Sequence, residues 1–472
     1  MCLTFPTADR DQSHEQEKTL TSPFETLDMD TSLRRRSLLR ALGATGVAAL
    51  AGCPAGIGES SGFEPGETDW PTVRFGPRNT AVHPSASGPG GDLSVAWTAP
   101  FREGSDASAG VGAMSSPIVL DGTVFAAADI SGDSGWQTVV SAFDLATGDR
   151  QWERSLPVSD VEGEGETSPA RTLGSDGERL VVGTFSDGPG LAALSPADGE
   201  AVWEASLETP FESPVTAEGG SLVVGDRLLA SYDAGDGSRA SRYAPGEDPL
   251  WRNRYPPTVT EDTIFATATD EIHAVDRESG ERRWTASNDF YTVLYRERGA
   301  PFNSPVVVDG VAYAVCGRIA NRDTGGMVAI DVEGGAVLWT AIPEGDDPAS
   351  YEGDPEAFEQ AAFYGTALVL DDTVYVQGME RGEWGFFAVD AADGSVERMD
   401  TDGGLVAAEG LLYGVTARDG TLTATAVDPA ADEELGSATV TKWEHPRVGP
   451  QAVAGEYYVV ATGQGVAAFG PN

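Results

Sequence analysis

Short apolar runs bounded by Gly, Pro and Asp recur through most of the chain, and several of them lead into one nine-residue phrase, Asp-x-x-x-Gly-x-x-x-Trp. The phrase is intact at Asp144-Gly148-Trp152, Asp276-Gly280-Trp284 and Asp331-Gly335-Trp339, and Ser195-Gly199-Trp203 changes only its first residue. Decayed copies keep the frame at Asp233-Gly237-Ser241, Asp390-Gly394-Arg398 and Asp428-Asp432-Gly436. Starts fall 38 to 59 residues apart, a period that marks a repeat architecture. Runs such as Ile272–Val275 and Met327–Ile330 before the phrase, and a second short run ending at the Trp, predict two strands around a tight turn. Asp folds its carboxylate onto turn N–H groups, and Gly takes a positive φ that a side chain would resist. The Trp, on the last strand, is large and flat enough to fill a wedge between two sheets.

A second phrase lies upstream, Ser116-Pro117 through Val119-Leu120-Asp121-Gly122-Thr123-Val124, echoed by Ser304-Pro305 through Val307-Val308-Asp309-Gly310-Val311. Pro at a strand start and Asp-Gly between β-branched runs predict another hairpin. Four short antiparallel strands per repeat make one blade of a β-propeller. Seven complete hairpin pairs are counted between residues 115 and 440, followed by a unit from about 449 that stops before its last strand. Leu93–Trp97, ahead of the first full blade, has the composition of an outer strand without a partner. Pairing strand 93–98 with the C-terminal blade closes the ring and covers both exposed edges. The expectation is an all-β, eight-bladed propeller; seven blades is the rival count, because the units near 212–243 and 403–440 are the most eroded.

Ala142-Phe143-Asp144-Leu145-Ala146-Thr147-Gly148-Asp149-Arg150-Gln151-Trp152 resembles the repeat of the PQQ-enzyme-type propeller family, and the resemblance spans roughly residues 70–472. Trp70-Pro71-Thr72-Val73-Arg74 is similar to a lead-in phrase of haloarchaeal members. The resemblance implies the propeller fold. For activity it implies either quinone-dependent dehydrogenases or non-catalytic proteins such as the bacterial outer-membrane assembly lipoprotein, because fold does not name function.

Composition narrows the setting. The 472 residues carry 75 acidic and 30 basic side chains, for a net charge of −45. Acid spread along the whole chain predicts a surface adapted to concentrated salt, where self-repulsion is screened within about 3 Å at 1 M. The same balance argues against nucleic-acid binding. At the N-terminus, a basic stretch containing Arg35 and Arg36 precedes a mildly apolar run and Leu50-Ala51-Gly52-Cys53. This predicts a twin-arginine export signal over 29–52 with Cys53 as the lipid attachment site. The apolar run is too short for a span, which needs about 20 residues. Residues 53–69 read as a flexible tether and 70–472 as the propeller. Residues 1–28 fit neither and read as a misassigned start or a disordered leader, with Met29 as the alternative start. The product is expected on the outer face of the cytoplasmic membrane, held there by the lipid, as a monomer with unidentified protein partners.

Within 70–472 the single cysteine, Cys316, excludes an intrachain disulfide and reads as a small core residue. No His pair has metal-ligand spacing, and no nucleophile elbow or phosphate loop is present. The chemistry that does concentrate lies in the long inter-blade connections, where Trp251, Arg252, Arg254, Tyr291 and Tyr295 gather Arg and aromatics, and in two inner loops that add Arg318, Arg322, Arg381 and Trp384. Such a rim suits an anionic or polymeric ligand or a protein hot spot. The plain alternative is that these aromatics pack loop against blade and the Arg residues pair with neighbouring carboxylates. The leading functional expectation is a non-catalytic interaction or assembly platform that needs no cofactor. The alternatives are a PQQ-dependent dehydrogenase using calcium, which requires convergent carboxylates beside a stacking Trp, and a carbohydrate- or polymer-binding surface protein.

Overall fold

In the computed structural model of this protein, strands are the only named elements among the described residues. These comprise 65–471 apart from 103–110, 133–134, 158–171, 185–189, 208–212, 226–228, 244–255, 268–270, 289–290, 293–296, 299–301, 317–324, 346–360, 419 and 442–447. The chain divides into residues 1–59 and 60–472, and every described residue belongs to the second unit. Arg35, Arg36 and Cys53 therefore lie outside the described residues.

Eight antiparallel sheets follow one another in chain order, blade 1 over Val111–Pro157, blade 2 over Gly174–Ser206, blade 3 over Thr216–Tyr243 and blade 4 over Thr258–Ser287. Blade 5 is Val306–Ala341, blade 6 Ala362–Arg398, blade 7 Val406–Thr441, and blade 8 Val448–Pro471. The middle strands of a blade are the most buried and the last the most exposed, as in blade 3, where Ser221–Gly225 is largely buried and no residue of Arg239–Tyr243 is. The two most eroded units are complete four-stranded blades, which rules out the seven-blade count.

Ring closure uses the N-terminal strand. Leu93–Ala99 runs antiparallel to Gly465–Pro471, with Leu93 opposite Pro471 and Trp97 opposite Ala468. It thereby supplies the outer strand of blade 8 and removes the edge that the C-terminal hairpin would leave open.

The repeat phrase works as its chemistry predicts. In blade 1, Asp144 Oδ1 accepts the N–H of Ala146 at 3.0 Å and of Thr147 at 2.9 Å, while Gly148, at φ +73°, donates back to Asp144 O at 2.9 Å. The Trp of one blade then lies over the Gly of the next. A methyl group on Gly148 would stand 2.6 Å from the Trp97 ring, and the same geometry joins Trp152 to Gly199, Trp203 to Gly237, Trp284 to Gly335 and Trp339 to Gly394. Each indole N–H also donates to the carbonyl of the residue after the motif Asp or Ser: Trp97 to Leu145 at 2.8 Å, Trp152 to Pro196 at 2.8 Å, and Trp203, Trp284 and Trp339 to Ala234, Val332 and Ala391 at 2.9 Å.

What periodicity did not reveal is the course of the lead-in. Residues 65–88 contact inner strands or turns of blades 1, 4, 5, 6, 7 and 8. Trp70 exchanges hydrogen bonds with Val119 at 2.7 and 3.0 Å. Val259 donates to Pro77 O at 2.8 Å and Val307 to Arg78 O at 3.1 Å. The buried Arg74 guanidinium reaches Thr366 Oγ1 and Ala367 O, and Nδ2 of the buried Asn79 donates to Thr258 Oγ1 at 2.7 Å. Val82–His83 pairs in parallel with Ala407–Ala408, and Gly88 donates to Gly455 O at 2.9 Å. This segment is a cap spanning the ring on the side of the motif turns. Residues 65–69, assigned above to the tether, already belong to it, since Asp69 Oδ1 accepts Asp121 N–H at 2.8 Å and Gly455 donates to Glu67 O at 2.6 Å.

His83 is the titratable group inside the cap. It is 1% exposed, and its Nδ1 accepts the N–H groups of Ser85 at 3.2 Å and Ala86 at 2.8 Å, which places the ring proton on Nε2. Phe75 lies 4.6 Å away, centroid to centroid. Burial lowers its pKa, against the opposing pull of the Asp69 and Gly66 backbone and the Asp69 and Glu67 charges. Protonation at Nδ1 would turn both accepted hydrogen bonds into clashes of donors.

Two outcomes are expected. Trp97→Ala should cost about 3–5 kcal/mol of unfolding free energy in molar salt, whereas Trp384→Ala, exposed at the start of a strand, should cost under about 1 kcal/mol; equal losses would contradict a closure role for Trp97. Because the folded-state pKa of His83 lies below the unfolded value of about 6.5, the unfolded chain binds the proton first, so stability is full above that value and declines as pH falls through the window beneath it. His83→Asn, whose side-chain oxygen can accept the same turn N–H groups, should flatten the denaturation midpoint between pH 7 and 5.5.

Candidate functional site

The motif turns and the hairpin turns between first and second strands share one face, as the Leu145 N–H to Gly122 O bond at 2.9 Å shows. The connections between blades and between second and third strands occupy the other. Of the Arg and aromatic rim expected from the sequence, Trp251, Arg252, Arg254, Tyr295, Arg318 and Arg322 lie outside the described residues. Tyr291 is described only in its backbone, as a strand residue paired with Arg298.

Arg381 and Trp384 sit on the hairpin between second and third strands of blade 6. Arg381, at φ +50°, forms an ion pair with Glu344. Trp384 is 54% exposed and lies 5.0 Å from the Tyr364 ring, centroid to centroid, while its carbonyl accepts Arg398 Nη2–H at 2.9 Å. Arg398 also lies 3.5 Å from Glu380. Part of the rim is thus loop packing and charge pairing, with the Trp384 ring left facing solvent. On blade 1, Trp136 is exposed in the corresponding hairpin, and the buried Asp129 nearby accepts Thr138 Oγ1–H at 2.6 Å.

His273 is 2% exposed on the third strand of blade 4. It bridges two residues, with Nε2 2.9 Å from Glu271 and Nδ1 2.9 Å from the Tyr243 hydroxyl, whose pKa burial raises. Cys316 is fully buried, which pushes its thiol pKa well up. No group of three or more His, Cys, Asp or Glu side chains fit to hold a metal ion exists among the described residues.

Two clefts open on the motif-turn face, away from the Arg and aromatic residues of the rim. The smaller, of about 440 Å³, lies between cap residues Pro71–Thr72 and the turns of blades 2 and 3. The larger, of about 970 Å³, lies where Ser231 and Ser241 of blade 3 meet Asp262, Asp276 and Arg277 of blade 4. In it Arg283 binds Asp276 Oδ2 at 2.5 Å and Asp262 Oδ2 at 2.6 Å. The Ser279 N–H, followed by Arg283, holds the Asp276 carboxyl well below the usual carboxylate range.

Against this geometry, the sequence matches the model of the family described as outer membrane protein assembly factor BamB over residues 136–399. No curated protein sequence matches. Among solved structures the chain is similar to BamB from Moraxella catarrhalis, with a TM-score of 0.51 at 17% identity, over 80% of this chain and 98% of that one. It is also similar to a europium-containing methanol dehydrogenase, with a TM-score of 0.55 at 14% identity, over 84% of this chain and 90% of that one. A quinohemoprotein alcohol dehydrogenase from Comamonas testosteroni has a TM-score of 0.54 at 15% identity, over 85% and 80% of the respective chains. Identities this low establish a shared fold and no more. The family match covers more than half of the chain, so the protein belongs to the family of PQQ-type propellers described as outer membrane protein assembly factor BamB.

Proposed function

We propose that this chain is an exported, lipid-anchored propeller of a salt-adapted archaeon that acts without catalysis as a protein-interaction or assembly platform on the outer face of the cytoplasmic membrane. The observation that carries the reading is the family match to an assembly factor. The cap adds to it: Trp70, Arg74, Asn79 and His83 are buried against the inner strands, and Arg74 and Asn79 bond to Thr366 and Thr258, so this segment takes up one mouth of the ring. Binding then falls to the rims, where long loops on a rigid scaffold suit protein recognition. The net charge of −45 and the Leu50–Cys53 phrase supply the setting and the anchor.

Cys53→Ala should release the exported protein from the membrane fraction into the medium; retention by the membrane would overturn the anchor. For the loop face, pull-downs by the full chain in molar salt should lose partners when Arg252→Glu and Arg254→Glu are combined, and an unchanged set would count against that face. Dye reduction by the salt-folded chain after addition of PQQ and calcium would overturn the non-catalytic reading.

A further inference from the structure

The wedge between blades 3 and 4 departs from the pattern that joins the other blades. Five wedges hold an indole. Between blades 6 and 7 the Asp432 carboxylate stands in for it, accepting Asp400 N–H at 2.6 Å and Thr401 N–H at 3.1 Å. Between blades 7 and 8 the chain at Gly91 packs directly on Gly436. Between blades 3 and 4 the Trp position is Ser241, bound to Ser231 at 2.6 Å, and the second-strand residue behind it, Phe125, Phe265 and Tyr313 in blades 1, 4 and 5 and Val181 in blade 2, is Val223. The nearest described atom to a methyl group placed on Gly280 is Arg242 O, at 3.9 Å. The 970 Å³ cleft is lined by Val223, Ser231, Ser241 and Arg277, the residues around this position.

The receiving side is nevertheless preserved. Gly280 has φ +71°, within the 71 to 77° of the five indole-covered glycines. Gly280 donates to Asp276 O at 2.9 Å as Gly148 does to Asp144, and Arg277 donates to Asp262 O at 2.9 Å as Leu145 does to Gly122. Arg277 O therefore stands where Leu145, Pro196, Ala234, Val332 and Ala391 each accept an indole N–H. We infer that this wedge is a receptor for a planar, N–H-bearing aromatic ring of indole size, and that its occupant is a tryptophan side chain presented by a partner polypeptide. The ring would lie on Gly280 and donate to Arg277 O. Two observations favour a polypeptide over a free heteroaromatic. Each filled socket takes its ring from a strand, and the cleft is far larger than one indole, with Arg78, Glu261, Glu278 and Asp309 around it to meet a main chain and its neighbouring side chains. This surface is on the opposite side from the loop face and does not depend on the platform reading.

The probe is N-acetyl-5-fluorotryptophan amide, followed by fluorine NMR with the full chain in molar salt. Saturable line broadening is expected with wild type, and its loss with Ser241→Trp, which supplies the ring from within and should also raise the denaturation midpoint. Ser241→Phe serves as a second blocking variant, each checked for a native far-ultraviolet spectrum. The 1-methylindole analogue, lacking the N–H, should bind several-fold more weakly. No broadening with wild type, or equal broadening with both folded variants, would overturn the site. Binding of 5-fluoroindole as tight as that of the amide would overturn the polypeptide as its source.

Discussion

An indole laid on the glycine of the next blade, with its N–H given to the neighbouring carbonyl, is the contact on which the ring depends. A blade buries little by itself, because its outer strand faces solvent, so its stability comes from the faces it shares with its neighbours. The Trp–Gly contact fixes how those faces meet. Glycine is required twice over at these positions, for the positive φ of the turn and for the absence of a Cβ beneath the ring. Trp97 extends the contact across the chain ends, so ring closure uses the same chemistry as every other docked wedge.

Where the phrase decays, the molecule substitutes rather than repeats. Asp432 turns a lost glycine into a carboxylate that caps two N–H groups, and Gly91 brings main chain against a lost tryptophan. Only blade 3 combines small residues at all three positions, Val223, Ser231 and Ser241, and there the larger described cleft opens. The same turns that make the motif face structural thus leave a shaped recess on it.

The cap constrains the ring from a different direction. It reaches blades on several sides of the axis through main-chain hydrogen bonds and through the buried side chains of Arg74 and Asn79. Those partners lie up to several hundred residues away in sequence. Trp70–Arg74 could be singled out as a phrase, but no local pattern states that its arginine ends on Thr366 or that the carbonyls of Trp70, Pro77, Arg78 and Ala81 serve blades 1, 4, 5 and 7. Hydrogen bonds of that separation are a product of ring closure and have no periodic trace.

Strand content, the Asp and Gly turns, the docking role of Trp and the closing strand were legible in the sequence, because each rests on local backbone chemistry repeated often enough to survive decay. The Arg and aromatic rim was legible as composition but not as a site. Composition cannot say whether Arg381 faces a ligand or Glu344, or whether the Trp384 ring packs or projects; those depend on Glu344 in the preceding connection and on Tyr364 across the sheet. Tertiary structure alone decided that the lead-in is a cap, that His83 is buried with its ring proton on Nε2, and that the missing tryptophan of blade 3 leaves a recess. In each case the deciding quantity is the space between blades, which only the closed ring defines.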